Sequence, residues 1–200
     1  LMDENGIELE GNSVDGRLCI KFPWPSMART IWGNHQRYKE TYFSAYDNMY
    51  FTGDGALRDK NGHYRITGRV DDVIIVSGHN LGTAPIEDAI NEHPAVSESA
   101  IVGYPHDIKG SALYGYVTLK NPNDSSETLK AEINQLISKQ IGPIAKLNKI
   151  QFTNGLPKTR SGKIMRRILR KIASKDTSNL GDISTLLNPE VVEMIIKNSQ

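Results

Sequence analysis

Residues 66–78 read ITGRVDDVIIVSG, and the fold turns on this stretch. On its N-terminal side the chain is dense in turns and β-formers. On its C-terminal side apolar residues begin to recur at helical spacing, so RVDDV (69–73) marks a boundary between two regimes. VIIVSG (73–78) is a short β-branched run ended by Ser77-Gly78, the pattern of a buried strand. Working back, NMYFTGDGALRDKNGHYRITGRV (48–70) predicts a β-hairpin joined through Asn61-Gly62. DGRLCIKFP (15–23) predicts a strand ending at Pro23, and Pro25 forbids helix just after it.

Working forward, Thr83-Ala84-Pro85 opens a helix whose stripe is Ile86, Ala89 and Ile90, and Pro94 stops it. AVSESAIVGYP (95–105) and SALYGYVTLK (111–120) read as two strands, with NPNDSSE as a polar turn after them. LKAEINQLISKQ (129–140) is a second amphipathic helix, ended by Gly142-Pro143. NKIQFT (148–153) is a strand, LPKTRSGK (156–163) a loop and IMRRILRKIAS (164–174) a third helix. The order is βαββαβ with a helix appended, a small α+β layer structure.

Composition bounds the function classes. The hydrophobic fraction is 38% and the charged fraction 24%, so a packed core is expected rather than disorder. Net charge is +1, so polyanion binding must rest on a local cluster. The one cysteine, Cys19, has no partner for an internal disulfide, which favours a reducing compartment. No apolar run approaches membrane-spanning length and no leader pattern is visible. The chain starts at Leu1 and enters at once into the turn-like DENG, as a piece of something longer does.

The cluster is LPKTRSGKIMRRILRKIASK (156–175), with eight basic residues between Lys158 and Lys175 and no acidic one. From Ile164 it segregates as a helix. Ile164, Ile168, Leu169 and Ile172 share one face, and Arg166, Arg167, Arg170 and Lys171 share the other, solvated one. Lys163 stands apart, behind Ser161-Gly162, on a loop that can present a long flexible side chain.

YFTGDG (50–55), ITGRVDDVI (66–74), VSGH (76–79) and LPKTRSGKIMRRILRKIA (156–173), in this order and spacing, resemble the C-terminal third of the adenylate-forming enzymes. The flanks FPWPSMARTIWGNHQRYKETYF (22–43) and SNLGDISTLLNPEVVE (178–193) resemble the acetyl-coenzyme A synthetases among them. The resemblance implies a fold and a division of the chain. Residues 1–70 would be the mostly β end of a large N-terminal domain and Asp71 a hinge. Residues 72–200 would be a small mobile C-terminal domain, with a short mixed or antiparallel sheet flanked by helices. It implies a reaction in two halves: acetate and MgATP give acetyl-adenylate and pyrophosphate, then coenzyme A displaces AMP. ATP, Mg²⁺ and coenzyme A would be used as substrates, without a prosthetic group, in the cytoplasm. Neither nucleic acid nor membrane is implied as a partner.

Residue by residue, the resemblance assigns Asp54 and Arg69 to the ATP ribose; a carboxylate can accept from two vicinal hydroxyls at once. Read alone, Asp54 suits a turn between glycines and Arg69 a surface charge. Ser77 and Gly78 would line the coenzyme A pantetheine channel. Asn80 stands where many relatives carry a phosphate-contacting arginine. Ser138 stands where bacterial relatives tend to carry a basic residue near the coenzyme A nucleotide, with Lys139 as a substitute or no contact at all as the alternatives. Asn91, His93 and Val96 match a turn described with a metal ion, taken here as Mg²⁺; otherwise His93 is the end of a helix before a proline. Lys163 would reach between the carboxylate and the α-phosphate, and would be the residue that a protein lysine acetyltransferase and deacetylase modify. The acyl pocket and the glycine-rich phosphate loop of the family lie outside these residues, so the fragment is not expected to be active alone. A ligase for propionate or another short acid is the near alternative. A nucleic-acid-binding module using the basic helix 164–173 is the distant one, disfavoured by the net charge and the lack of interleaved aromatics.

Overall fold

The computed structural model describes residues 1–178 and 180–199. Asn179, within SNLGDISTLLNPEVVE, and Gln200, the last residue of the expected 72–200 domain, lie outside them. The chain divides into two compact units, Leu1–Asp72 and the residues from Val73 onward.

The first unit is an antiparallel three-stranded sheet of β1 (Val14–Ile20), β2 (Tyr50–Arg58) and β3 (Tyr64–Arg69), with β2 in the middle. The β2–β3 hairpin closes over Asp59–His63. The Asp59 carboxylate accepts the N–H groups of Asn61 and His63 at 2.8 and 2.9 Å, and Gly62 has φ +86°. Asn61-Gly62 therefore sits in a longer loop organised by Asp59, instead of forming the two-residue turn expected of the pair. The unit also holds a helix that the sequence reading missed, α1 (His35–Tyr42). Its mean polarity hides it, but Asn34 caps it by accepting Arg37 N–H at 3.0 Å, and buried Tyr38 anchors it.

The second unit is a five-stranded mixed sheet with helices on both faces. Its strands are β4 (Ile74–Val76), β5 (His79–Leu81), β6 (Val96–His106), β7 (Gly110–Leu119) and β8 (Lys149–Thr153). Strand β7 is central: antiparallel to β6, parallel to β8, and touching β4 at Val76↔Gly110. The parallel pair needs a crossover, and α3 (Glu127–Gln140) supplies it. Helix α2 (Thr83–Asn91) joins α3 on one face over Ile101, Leu113, Val117 and Ile150. Helices α4 (Arg166–Ala173) and α5 (Glu190–Lys197) cover the other face over Ala100, Val102, Tyr114 and Tyr116. Residues 112–117 are consequently buried without alternation, as expected of a strand covered on both sides. This is the α+β architecture expected, with α5 added. The third helix begins at Arg166 rather than Ile164, because Ile164 bridges Lys158 and Met165 N–H donates to the Pro157 carbonyl at 2.8 Å.

Burial holds the Tyr116 hydroxyl well above the ordinary tyrosine value, with neighbouring Tyr114 adding to the effect. An unfolded tyrosine ionises near pH ~10. The folded one stays neutral, so its contribution to stability is complete below that pH and declines as pH rises beyond it. Urea unfolding should therefore show stability falling above about pH 10, and Tyr116→Phe should make that fall shallower. The same variant should cost about 1 kcal/mol at neutral pH, because Tyr116 Oη donates to the Leu169 carbonyl at 3.1 Å. An unchanged slope would show that Tyr116 does not set the alkaline limit.

Candidate functional site

Lys163 closes a tight reverse turn. Gly162 N–H donates to the Thr159 carbonyl at 2.8 Å, and Thr159 N–H donates to the Lys163 carbonyl at 2.9 Å. Thr159 Oγ1 accepts Lys163 N–H at 3.1 Å and lies 3.0 Å from Ser161 Oγ. Gly162 adopts φ +83°, and among the described residues nothing lies where a Cβ would be, so the glycine is there for conformation and not for clearance. The turn is exposed, and among the described residues the Lys163 ammonium makes no hydrogen bond or ion pair. The backbone is thus tied while the side chain is left available.

Its cationic neighbours are used differently. Lys158 pairs with Glu98 at 2.5 Å, and Lys171 lies 3.8 Å from Asp176. Arg167 Nη1 donates to the Leu180 carbonyl at 2.6 Å. Arg166 departs most from the solvated face expected of it. It grips Glu87 with Nη2–Oε2 at 2.6 Å and Nε–Oε1 at 3.3 Å. Glu87 is 8% exposed, and its Oε1 also accepts Ile101 N–H at 2.8 Å, on the outer side of edge strand β6. Sequence reasoning missed Glu87 because it sits one residue from Ile86 on a short helix, where nothing separates a buried acid from an exposed one. With Lys158 and Arg166 each neutralised by a carboxylate, the run is no open phosphate-binding stripe, and the nucleic-acid reading loses its basis.

Ser77 and Gly78 form a two-residue turn between β4 and β5, with Val76 opposite His79. Both have positive φ, +48° and +82°, the backbone of a type I′ hairpin turn. The expected strand end is thus a hairpin, and β5 was hidden by the brevity of His79-Asn80-Leu81. Among the described residues nothing lies within 4 Å of a Cβ placed on Gly78, so the backbone there is open to a ligand. Asn80 is exposed, opposite Ile75. On α3, Ser138 is half-buried and Lys139 exposed.

In the first unit Asp54 and Arg69 face each other across β2 and β3. Arg69 Nη1 lies 3.7 Å from Asp54 Oδ1 and donates to the Thr52 carbonyl at 3.2 Å, while Nε donates to Asp71 Oδ1 at 3.0 Å. The guanidinium lies over Gly53, where a Cβ would come within 2.6 Å of it. Burial works against the Arg69 charge, but the hydrogen bond and charge of Asp71, with Asp54 and Asp72, outweigh it and raise its pKa. Asp71 lies in the short 3₁₀ turn Val70–Asp72, at the end of the first unit.

Asn91, His93 and Val96 gather at one turn, but their donors are engaged. Asn91 Oδ1 accepts the Ser99 hydroxyl at 2.9 Å, and His93 Nδ1 accepts Ala95 N–H at 3.2 Å. His93 Nε2 faces Glu132 at 3.6 Å, and Val96 is a buried apolar side chain. A hard cation wanting about six oxygens would have to draw on backbone carbonyls here, so this donor set does not suit Mg²⁺. Among the described residues no cluster of three or more His, Cys, Asp or Glu offers another site, and no helix is long and apolar enough to cross a membrane.

Residues 85–163 match the AMP-binding enzyme C-terminal domain. The acetoacetyl-CoA synthetase from Streptomyces lividans shares the fold, with a TM-score of 0.81 at 22% identity over 98% of this chain and 29% of that one. The anthranilate CoA ligase AuaEII, solved with anthranoyl-AMP, matches with a TM-score of 0.78 and 27% identity over 90% of this chain and 34% of that one. The chain is similar to the C-terminal portion of adenylate-forming enzymes. Within that class it is similar to the acetyl-coenzyme A synthetase of Methylorubrum populi, at 57% identity over all of this chain. It spans 31% of that relative's length.

Proposed function

We propose that this chain is the C-terminal part of an AMP-forming acetate–CoA ligase. Identity of 57% to an acetyl-coenzyme A synthetase over all of this chain, 31% of that relative, carries the reading, and acetate is taken as the acid on that resemblance. In the first half-reaction an acetate oxygen attacks the α-phosphorus of ATP and the bond to pyrophosphate breaks. Lys163 is the catalytic residue there: its ammonium lies between the two anions and follows charge as it moves onto the phosphoryl oxygens. Asp54 accepts the ribose hydroxyls, held in orientation by Arg69. In the second half-reaction the coenzyme A thiolate attacks the acetyl carbonyl and AMP departs. The open Ser77-Gly78 turn lets pantetheine approach the backbone, while Asn80 and Ser138 offer hydrogen bonds to the nucleotide but no charge. Asp71 is the hinge between the two states, with residues 1–70 as the end of the large domain and the remainder as the moving one.

Magnesium enters on the nucleotide phosphates, where it supplies charge neutralisation. The exposed Lys163 turn supports reversible acetylation by a lysine acetyltransferase and deacetylase, which would remove the catalytic charge. A cytoplasmic location follows from ATP and coenzyme A as substrates and agrees with the lone Cys19. The test is acetate-dependent ATP–pyrophosphate exchange by the full enzyme with Lys163 intact and replaced. The 200 residues alone should show no exchange, and measurable activity from them would contradict the division of labour.

A further inference from the structure

We propose that Asn188 is a positioning residue for the Lys163 turn; this rests on the reading of Lys163 given above. The turn is exposed, and its place is set by the arm that leads into it, residues 156–159. That arm lies between two others. On one side Lys158 bridges Ile164, and the Pro157 carbonyl accepts Met165 N–H at 2.8 Å. On the other side runs the segment 186–188, with Thr159 bridging Leu186 and Leu187 N–H donating to the Lys158 carbonyl at 2.8 Å.

Asn188 completes this second side with both ends of its carboxamide. Nδ2 donates to the Leu156 carbonyl at 3.0 Å, and Oδ1 accepts Lys158 N–H at 3.1 Å. In extended backbone these two groups flank Pro157 and point the same way, so one planar amide satisfies both, as a neighbouring strand would. Proline has no N–H, and Leu156 and Pro157 are buried; without Asn188 a buried carbonyl and a half-buried N–H face each other's neighbours unsatisfied. The amide is itself held, because α5 starts just after it and buries Val191, Val192 and Ile195 in the core that also holds α4. The Asn188 carbonyl accepts Val191 N–H at 3.2 Å. Core, amide, arm and turn form one chain of contacts ending at Lys163.

The experiment uses the full enzyme and measures the two half-reactions separately. Asn188→Ala should lower kcat for ATP–pyrophosphate exchange about tenfold or more, leaving KM for acetate and ATP within about twofold, since a displaced catalytic group costs rate before it costs binding. Conversion of supplied acetyl-adenylate and coenzyme A to acetyl-CoA should stay within about twofold, because that step does not use Lys163. Asn188→Asp keeps the acceptor for Lys158 N–H and loses the donor, so its exchange rate should fall between wild type and alanine. It also carries the test where alanine prevents folding. Exchange unchanged in both variants, or both half-reactions falling together, overturns the proposal. A Lys163→Ala enzyme that retains exchange overturns the underlying reading, and that failure is visible without reference to Asn188.

Discussion

Replacing Lys163 by alanine should lower acetate-dependent ATP–pyrophosphate exchange by about 10²–10³, the loss expected on deleting one electrostatic contact to a developing charge, about 3–4 kcal/mol. The turn explains why the effect should be confined to rate. Its backbone closes through Thr159 and Gly162 without help from the ammonium, which makes no hydrogen bond or ion pair among the described residues. The variant should therefore fold normally and bind ATP nearly as well as wild type. It should still convert supplied acetyl-adenylate to acetyl-CoA, which separates a lost catalytic group from a damaged domain. Lys163→Arg keeps the charge but carries a planar fork where a compact ammonium is needed, so it should recover little. Exchange at the wild-type rate in Lys163→Ala would remove the residue from the mechanism.

The second large effect concerns stability. Glu87→Ala leaves the partly buried Arg166 guanidinium without its carboxylate and Ile101 N–H without its acceptor. The Arg166 and Glu87 side chains are 24% and 11% exposed, so solvent screens the pair only partly. Breaking such a pair from one side costs about 3 kcal/mol or slightly more, measurable as a shift in urea midpoint at constant slope. Glu87→Gln keeps the shape and the bond to Ile101 and should cost less. The double variant Glu87→Gln with Arg166→Met should be more stable than Glu87→Ala, because no buried charge is stranded. A Glu87→Ala protein within about 0.5 kcal/mol of wild type would mean that the pair is a surface contact in solution.

How far the sequence could be read follows from where its signals are local. Strands β4, β6, β7 and β8 of the second unit and helices α2 and α3 announced themselves through apolar spacing and through Pro94 and Gly142-Pro143. The Lys163 turn was legible because Ser-Gly before a lysine is a local feature. By contrast, α1 and α5 are eight-residue helices, one polar on average and the other read only as a flank, and their helical state is settled by tertiary anchors such as Tyr38 and Ile195. Arg166 was assigned to water because helical spacing tells which face a residue shares and not what lies opposite. Its partner is 79 residues away. Asn188 had no signal either: an Asn-Pro pair looks like a turn, and only the fold brings it beside Leu156 and Lys158.

The parallel pairing of β7 with β8 bears on synthesis. Strand β7 is complete by Leu119, but its parallel neighbour begins at Lys149, and the segment bracing the Lys163 arm comes only at 186–188. Contacts of that sequence separation form late, after the closure entropy has been met. The Ser77-Gly78 hairpin needs only residues 74–81. A nascent chain leaving the ribosome therefore acquires the turn assigned to thioester formation well before the one assigned to adenylation. The residue proposed to act first is thus among the last to reach its place.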